Sequence, residues 1–352
     1  MLPSVPPSAW LPAFGGKDHG FRNRAKLVVG GSAGRVTLGI LGPDGRGVDL
    51  RECLIQDPLL ADAIPLVASF LEATNLPPYS VPDRAGELKF VHLTVSPSAE
   101  LMVRFVVRTE ASLEVIRAHL PRLRSALPQA VVVSVNLLPE HKAVLEGERE
   151  VTLLGESLTM HLGGSSDELN LHLLPKSFFQ TNTLVAQQLY AQVTEWIRQL
   201  RPTSLWDLYC GVGGFALHAA VNLRAQGIEC DVLGVELNES AVLSARRSAR
   251  ETNISAEFVA ADALEFALNA PAEHLPQLMV VNPPRRGIGD ALAQWIEASR
   301  IPTVVYSSCN PVTLAKDLAL MPSYGVSQAK MFDMFPHTAH LEVAVLLTRQ
   351  TD

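Results

Sequence analysis

Trp206-Asp207-Leu208-Tyr209-Cys210-Gly211-Val212-Gly213-Gly214-Phe215 closes an apolar run, passes through a Gly-rich turn and opens a segment with helical spacing. This is a strand, a turn and a helix, and its glycines do not follow the G-x-G-x-x-G spacing of dinucleotide enzymes. Such a turn lets main-chain N–H groups and a helix N-terminus come close to a ligand carboxylate. Working outward, short apolar runs over 204–208, 231–236, 256–260, 278–282, 303–307 and 341–348 read as strands. Longer amphipathic segments separate them, beginning with 184–200, where Asn182 is a candidate cap. This alternation predicts an α/β domain with a doubly wound, Rossmann-like parallel sheet, which binds ligands at the carboxyl ends of its strands.

Before residue 173 the rhythm differs. β-branched runs over 25–30, 36–41, 89–95, 101–107 and 130–135 are broken by helical segments near 61–74 and 112–126, which predicts an α+β unit with antiparallel strands. The expected division is therefore an α+β domain over 1–172 and a ligand-binding domain over 173–352. A length of 352 residues suits two domains.

The formal net charge of −7 excludes attachment to nucleic acid by bulk electrostatics, so any such contact must come from local patches. Arg22, Arg24 and Lys26, and the face of Arg246, Arg247 and Arg250, are candidate phosphate contacts; each also reads as an ordinary solvated surface. The cysteines Cys53, Cys210, Cys230 and Cys309 lie far apart with no metal-ligand spacing, which points to free thiols in a reducing compartment. With no signal-peptide pattern and no long apolar run, a soluble, cytoplasmic protein is expected.

The loops after the strands carry the chemistry. Glu236 stands 25 residues beyond Gly211 (236 − 211), near the separation expected of an acid that binds ribose hydroxyls. Asp262 follows the third strand, where an acid can meet an adenine amino group. Each feature alone also fits a tight turn or a solvated acid; together they favour S-adenosylmethionine, while the fold itself equally admits a nicotinamide cofactor. Asn282-Pro283-Pro284-Arg285-Arg286-Gly287 is a stiff loop whose Asn282 amide and carbonyls are free to meet a ligand or base. Its arginines suit RNA phosphate, or simply a solvated strand end.

Cys309 precedes Asn310-Pro311, a cap followed by a proline at the first helical position, and a thiol at a helix N-terminus is favoured as thiolate. A thiolate attacking uracil C6 makes C5 nucleophilic enough to take a methyl group, after which a base must remove the C5 proton. Glu342, in an otherwise apolar strand, is the candidate base, its pKa raised by desolvation; the plainer alternative is a cross-strand ion pair. Cys210 and Cys230 read as inert filler.

Lys176-Ser177-Phe178-Phe179-Gln180-Thr181-Asn182, the Asp207 to Phe215 turn, Val281 to Gly287, Tyr306-Ser307-Ser308-Cys309-Asn310 and Phe332 to His340 together resemble the RNA (uracil-5-)-methyltransferase family. The likeness covers the C-terminal half and extends forward to Gly20–Lys26 and Arg84–Lys89. It implies that Gln180, Tyr209, Glu236 and Asn282 lie at the S-adenosylmethionine site, beside the Gly211 and Asp262 read from the strand-end loops, and that Cys309 is the nucleophile and Glu342 the base. Many relatives have Asp at the place of Asn282, and Asn there resembles the branch acting on 23S rRNA. The resemblance thus implies 5-methyluridine formation in 23S rRNA; separately, the N-terminal domain is expected to help position RNA, and a monomer with no membrane or protein partner is expected. Alternatives are a tRNA uridine-C5 methyltransferase, an enzyme methylating an amino nitrogen, or an inactive RNA-binding factor. That branch usually carries four cysteines around an iron-sulfur cluster; only Cys53 matches, so a metal-free chain is expected.

Overall fold

The computed structural model describes residues 5–162 and 169–350. It contains two compact units, Asp18–Met160, and Met1–Lys17 together with His161–Asp352. The division differs from the expected one in two ways: the boundary falls at 160/161 and not at 172/173, and the first residues belong with the C-terminal part. Strand β1 (Phe14–Gly15) pairs in parallel with Phe332 and Asp333, and Val5 and Ala9 lie in the same core as Met279 and Val345.

Within Asp18–Met160, β2 (Arg24–Ser32), β3 (Arg35–Leu41), β4 (Gly47–Asp49), β5 (Leu88–Val95), β6 (Leu101–Val107), β7 (Ala130–Leu137) and β8 (Arg149–Leu154) form one sheet ordered β4-β3-β2-β5-β6-β7-β8. Helix α1 (Pro58–Thr74) starts at Asp57, whose side chain accepts from Leu59 N, and buries Leu60, Ile64, Val67 and Leu71 along one stripe. The matching sheet face presents Leu27, Val91, Leu93 and Phe105. The antiparallel expectation fails at one place: β6 and β7 run parallel. Helix α2 (Glu110–Ala126) connects them, and a helical crossover returns the chain in the same direction. The opposite face is polar yet buried: Arg104 is held by Glu150 and Glu146, and His92 stands across from it in register. Burial and the facing Arg104 push His92 down to about 2, so it is neutral at any working pH.

Strand β9 (Leu158–Leu162) runs across the 160/161 boundary and pairs with β10 (Leu169–Leu173), and the other unit continues with α3 (Thr183–Leu200), β11 (Ser204–Leu208), α4 (Gly214–Ala225), β12 (Asp231–Glu236), α5 (Glu239–Glu251), β13 (Glu257–Ala260), α6 (Ala263–Asn269), β14 (Leu278–Val281), α7 (Asp290–Ser299), β15 (Thr303–Ser308), α8 (Pro311–Ala319), β16 (Tyr324–Asp333) and β17 (Glu342–Arg349). The main sheet is ordered β1-β16-β17-β15-β14-β11-β12-β13. Strands β11 to β15 are parallel, and β17 is antiparallel to both its neighbours. The start of β17 therefore lies at the edge where the parallel strands end. Asn182 caps α3 through Val185 N, as its sequence position indicates. β16 escaped the sequence reading because Ser327, Gln328 and Lys330 interrupt its apolar pattern and a bulge between Val326 and Gln328 breaks its alternation.

Candidate active site

The chain switches direction between β11 and β14, and there the carboxyl ends of the strands surround a cavity of about 610 Å³. All eight residues singled out from the sequence line it: Gln180, Tyr209, Gly211, Glu236, Asp262, Asn282, Cys309 and Glu342.

The Gly-rich turn is held tightly. Tyr209 has φ 63°, an uncommon conformation for a side chain of that bulk, and the strain marks a site whose surroundings fix it. Helix α4 begins at Gly214 without a side-chain cap, so its first N–H groups suit an anionic ligand group. Gly214 is required for packing: a Cβ there would lie 2.6 Å from the Tyr190 hydroxyl. Tyr190, on α3, lines the cavity and stacks on His218 at 4.7 Å. No sequence signal marked it, because it falls within the apolar stripe of a helix.

Glu236 receives Gly211 N at 3.1 Å on one oxygen and Asn238 N at 2.8 Å on the other. The carboxylate is thus oriented at the end of β12 with acceptor capacity left on both oxygens for a pair of hydroxyls. Asp262 caps α6, and Leu264 N and Glu265 N both donate to the same oxygen, Oδ1. Asn282 extends the β14–β11 pairing by one bond, its N–H donating to Leu208 O at 3.3 Å. The cavity, the oriented acid and the uncapped helix fit S-adenosylmethionine in size and in donor and acceptor pattern.

On the far side, β15 pairs with β17 up to Ser308 and Val343, so Cys309 and Glu342 continue the register one step beyond. Glu342 is 2% exposed and takes a hydrogen bond from Ser307 Oγ. Burial pushes it up to about 7, against the pull of that bond, as expected for a base working near neutrality. The ion-pair alternative is not seen: no Lys or Arg bridges Glu342 among the described residues.

Cys309 departs from expectation. Its thiol is pushed up from its ordinary value, first by burial and then by the Glu342 carboxylate. The helix-terminus argument fails locally because Asn310 Oδ1 takes Val312 N at 3.1 Å and Ser308 Oγ takes Asn310 N at 3.1 Å, which uses up nearby donors. Cys309 precedes the cap; it is not the cap itself. Burial pushes Cys210 and Cys230 up as well, Cys230 to about 11, consistent with inert thiols.

Of the basic candidates, Arg24 is buried, and desolvation brings it down to about 10. Arg246 donates to Phe258 O, and Arg247 pairs with Glu251 at 3.0 Å. Lys26 and Arg250 are exposed. No cluster of three or more His, Cys, Asp or Glu positioned for a metal ion exists among the described residues, and no described helix is long and apolar enough to cross a membrane.

Sheet order and site together define a methyltransferase of the S-adenosylmethionine-dependent class. A model of the tRNA (Uracil-5-)-methyltransferase family matches residues 147–350, and the chain belongs to that family. It is 45% identical over 97% of its length to 88% of the 23S rRNA (uracil(747)-C(5))-methyltransferase RlmC of Halothiobacillus neapolitanus. With the enzyme of the same name from Edwardsiella ictaluri it shares 44% identity, over 97% of this chain and 88% of that one. The crystal structure of Pyrococcus abyssi tRNA (uracil-54, C5)-methyltransferase in complex with S-adenosyl-L-homocysteine superposes with a TM-score of 0.76 at 26% identity, covering 94% of this chain and 76% of that one.

Proposed function

We propose that this chain methylates C5 of a uridine in 23S rRNA, with Cys309 as nucleophile and Glu342 as base. The observation that carries the mechanism is the juxtaposition, across β15 and β17, of a half-buried thiol and a buried carboxylate pushed up to about 7. Bound S-adenosylmethionine supplies an electrophilic methyl group. The Gly211 to Gly214 turn and the start of α4 would hold its carboxylate, Glu236 its ribose hydroxyls and Asp262 its adenine, while Gln180, Tyr209 and Asn282 complete the wall of the cavity.

The Cys309 sulfur bonds to C6, and the C5–C6 electron pair becomes available at C5, which takes the methyl group as the methyl–sulfonium bond breaks and leaves S-adenosylhomocysteine. Glu342 then accepts the C5 proton, the C5–C6 double bond re-forms and the C6–S bond breaks, freeing 5-methyluridine and the thiolate. Reaching C6 requires the uridine to be unstacked, which suits a loop or flipped base. The choice of 23S rRNA rests on Asn282 and on the relatives at 45% and 44% identity. We assign RNA positioning to Asp18–Met160, and a cytoplasmic monomer to the whole.

The test is trapping with 5-fluorouridine RNA. Where the C5 proton is replaced by fluorine, release is blocked, so wild type should form a denaturation-resistant adduct through Cys309, and C309A should form none. A 23S fragment should react faster than a tRNA transcript. No adduct from wild type overturns the mechanism; a complete set of 5-methyluridines in 23S rRNA from a strain lacking the protein overturns the substrate.

A further inference from the structure

Cys309 has to ionise before it attacks, and two features of its pocket work against that: burial and the neighbouring Glu342 carboxylate. The first turn of α8 offers little help, since Asn310 and Ser308 engage its adjacent donors. One side chain acts in the opposite sense. Arg285 lines the same cavity, and its guanidinium favours the ionised sulfur.

Its backbone is fixed for the purpose. Asn310 Nδ2 and Thr313 Oγ1 both donate to the Arg285 carbonyl, at 3.0 and 3.2 Å, tying the loop to the helical turn that follows Cys309. At the loop's far end Ile288 N donates to Asp317 Oδ2 at 3.0 Å and to the Tyr306 hydroxyl oxygen at 3.2 Å. Pro283 and Pro284 stiffen the part between.

We propose that Arg285 is a catalytic residue whose guanidinium stabilises the Cys309 thiolate from which attack on C6 begins, the thiol proton leaving to solvent water. The charged groups facing the sulfur are then two, Arg285 from the loop after β14 and Glu342 from β17, with opposite effects. The proposal rests on Cys309 being the nucleophile, which the fluorouridine adduct tests separately.

The experiment is the pH dependence of Cys309 alkylation by iodoacetamide in the full chain without RNA, read on the Cys309 peptide by mass spectrometry so that other thiols do not count. In Arg285→Gln the midpoint should rise by about one pH unit, making alkylation near neutrality about tenfold slower. Arg285→Lys should restore most of the difference, and Glu342→Gln should move the midpoint the other way. A curve for R285Q that superimposes on wild type overturns the proposal. So does an unchanged curve accompanied by a loss of about one from the salt slope of RNA binding, the mark of a phosphate contact only. The Arg285 side chain is exposed, so its loss spares the core; Arg285→Met carries the same comparison should R285Q not fold.

Discussion

At the scale of single residues, desolvation sets two carboxylates to different tasks. In the proposed mechanism Glu342, pushed up to about 7, has to be ionised to accept a proton, so turnover should rise with pH through a limb near 7. Glu342→Gln should lower turnover by about 10² to 10⁴-fold and leave RNA bound covalently through Cys309, seen as a shifted band on a denaturing gel. Asp207 is wholly buried beneath the Gly-rich turn, one oxygen accepting from Ala216 N at 3.0 Å, and burial pushes it from 3.8 up to about 8. Its folded pKa lies above its unfolded one, so its stabilisation is complete below about pH 4 and is lost as pH rises through 8. The melting temperature should accordingly fall between pH 5 and pH 9, and Asp207→Asn should flatten that fall by on the order of 5 °C. A wild-type profile that D207N leaves unchanged would rule this out. Glu236, Asp262, Asn282 and Cys309 were legible because each is a polar residue just at or after the end of an apolar strand, and Glu342 because it is a carboxylate in one; Gly211 was marked by the Gly-rich turn, and Gln180 and Tyr209 only by the family resemblance. Tyr190 and Ser307 were not legible, since a tyrosine in a helix stripe and a serine in a strand look like packing, and their partners come from distant parts of the chain.

At the scale of elements, caps and strand ends were well marked. Asn182 and Asn310 both cap the helices they announce, because an N-cap is a local signal needing only the next three residues. The loop from Asn282 to Gly287 was recognised, but its anchor was not: the Tyr306 hydroxyl donates to Asp317 at 2.6 Å, and both receive Ile288 N. Gly287 turns there with φ 80°, and a Cβ on it would lie 2.3 Å from an Asp317 oxygen. Gly287→Ala should therefore cost roughly 2 to 4 kcal/mol in urea denaturation and depress turnover more than cofactor affinity, since the loop carries Asn282 and Arg285 together. Tyr306→Phe removes one donor and should cost roughly 1 to 2 kcal/mol, with activity largely kept. The parallel β6–β7 pair was illegible in strand patterning, which carries face but not direction; only α2 between them reveals it.

At the scale of the molecule, the unit bearing the cavity is discontinuous in sequence, and this no residue pattern near the termini disclosed. Trp10 bridges to Ala329, and Leu11 N donates to Ala329 O at 2.8 Å, so the first residues complete a sheet built mostly from the last. Removing residues 1–17 exposes the edge of β16 and strips Val5 and Ala9 from the core, which should cost roughly 2 to 4 kcal/mol and lower the melting temperature of the shortened chain. An unchanged melting curve would show the segment to be dispensable. The same arrangement bears on how the protein is made. Phe14 finds its partner in Phe332, 318 residues later (332 − 14). At bacterial or eukaryotic elongation speeds of about 5 to 20 residues per second, the opening strand is out of the ribosome for roughly 15 to 60 s before its mate exists. Asp18–Met160 is synthesised whole in that interval, so vectorial synthesis gives the nascent chain one finished body, with a short unpaired leader that must remain available until translation is nearly over.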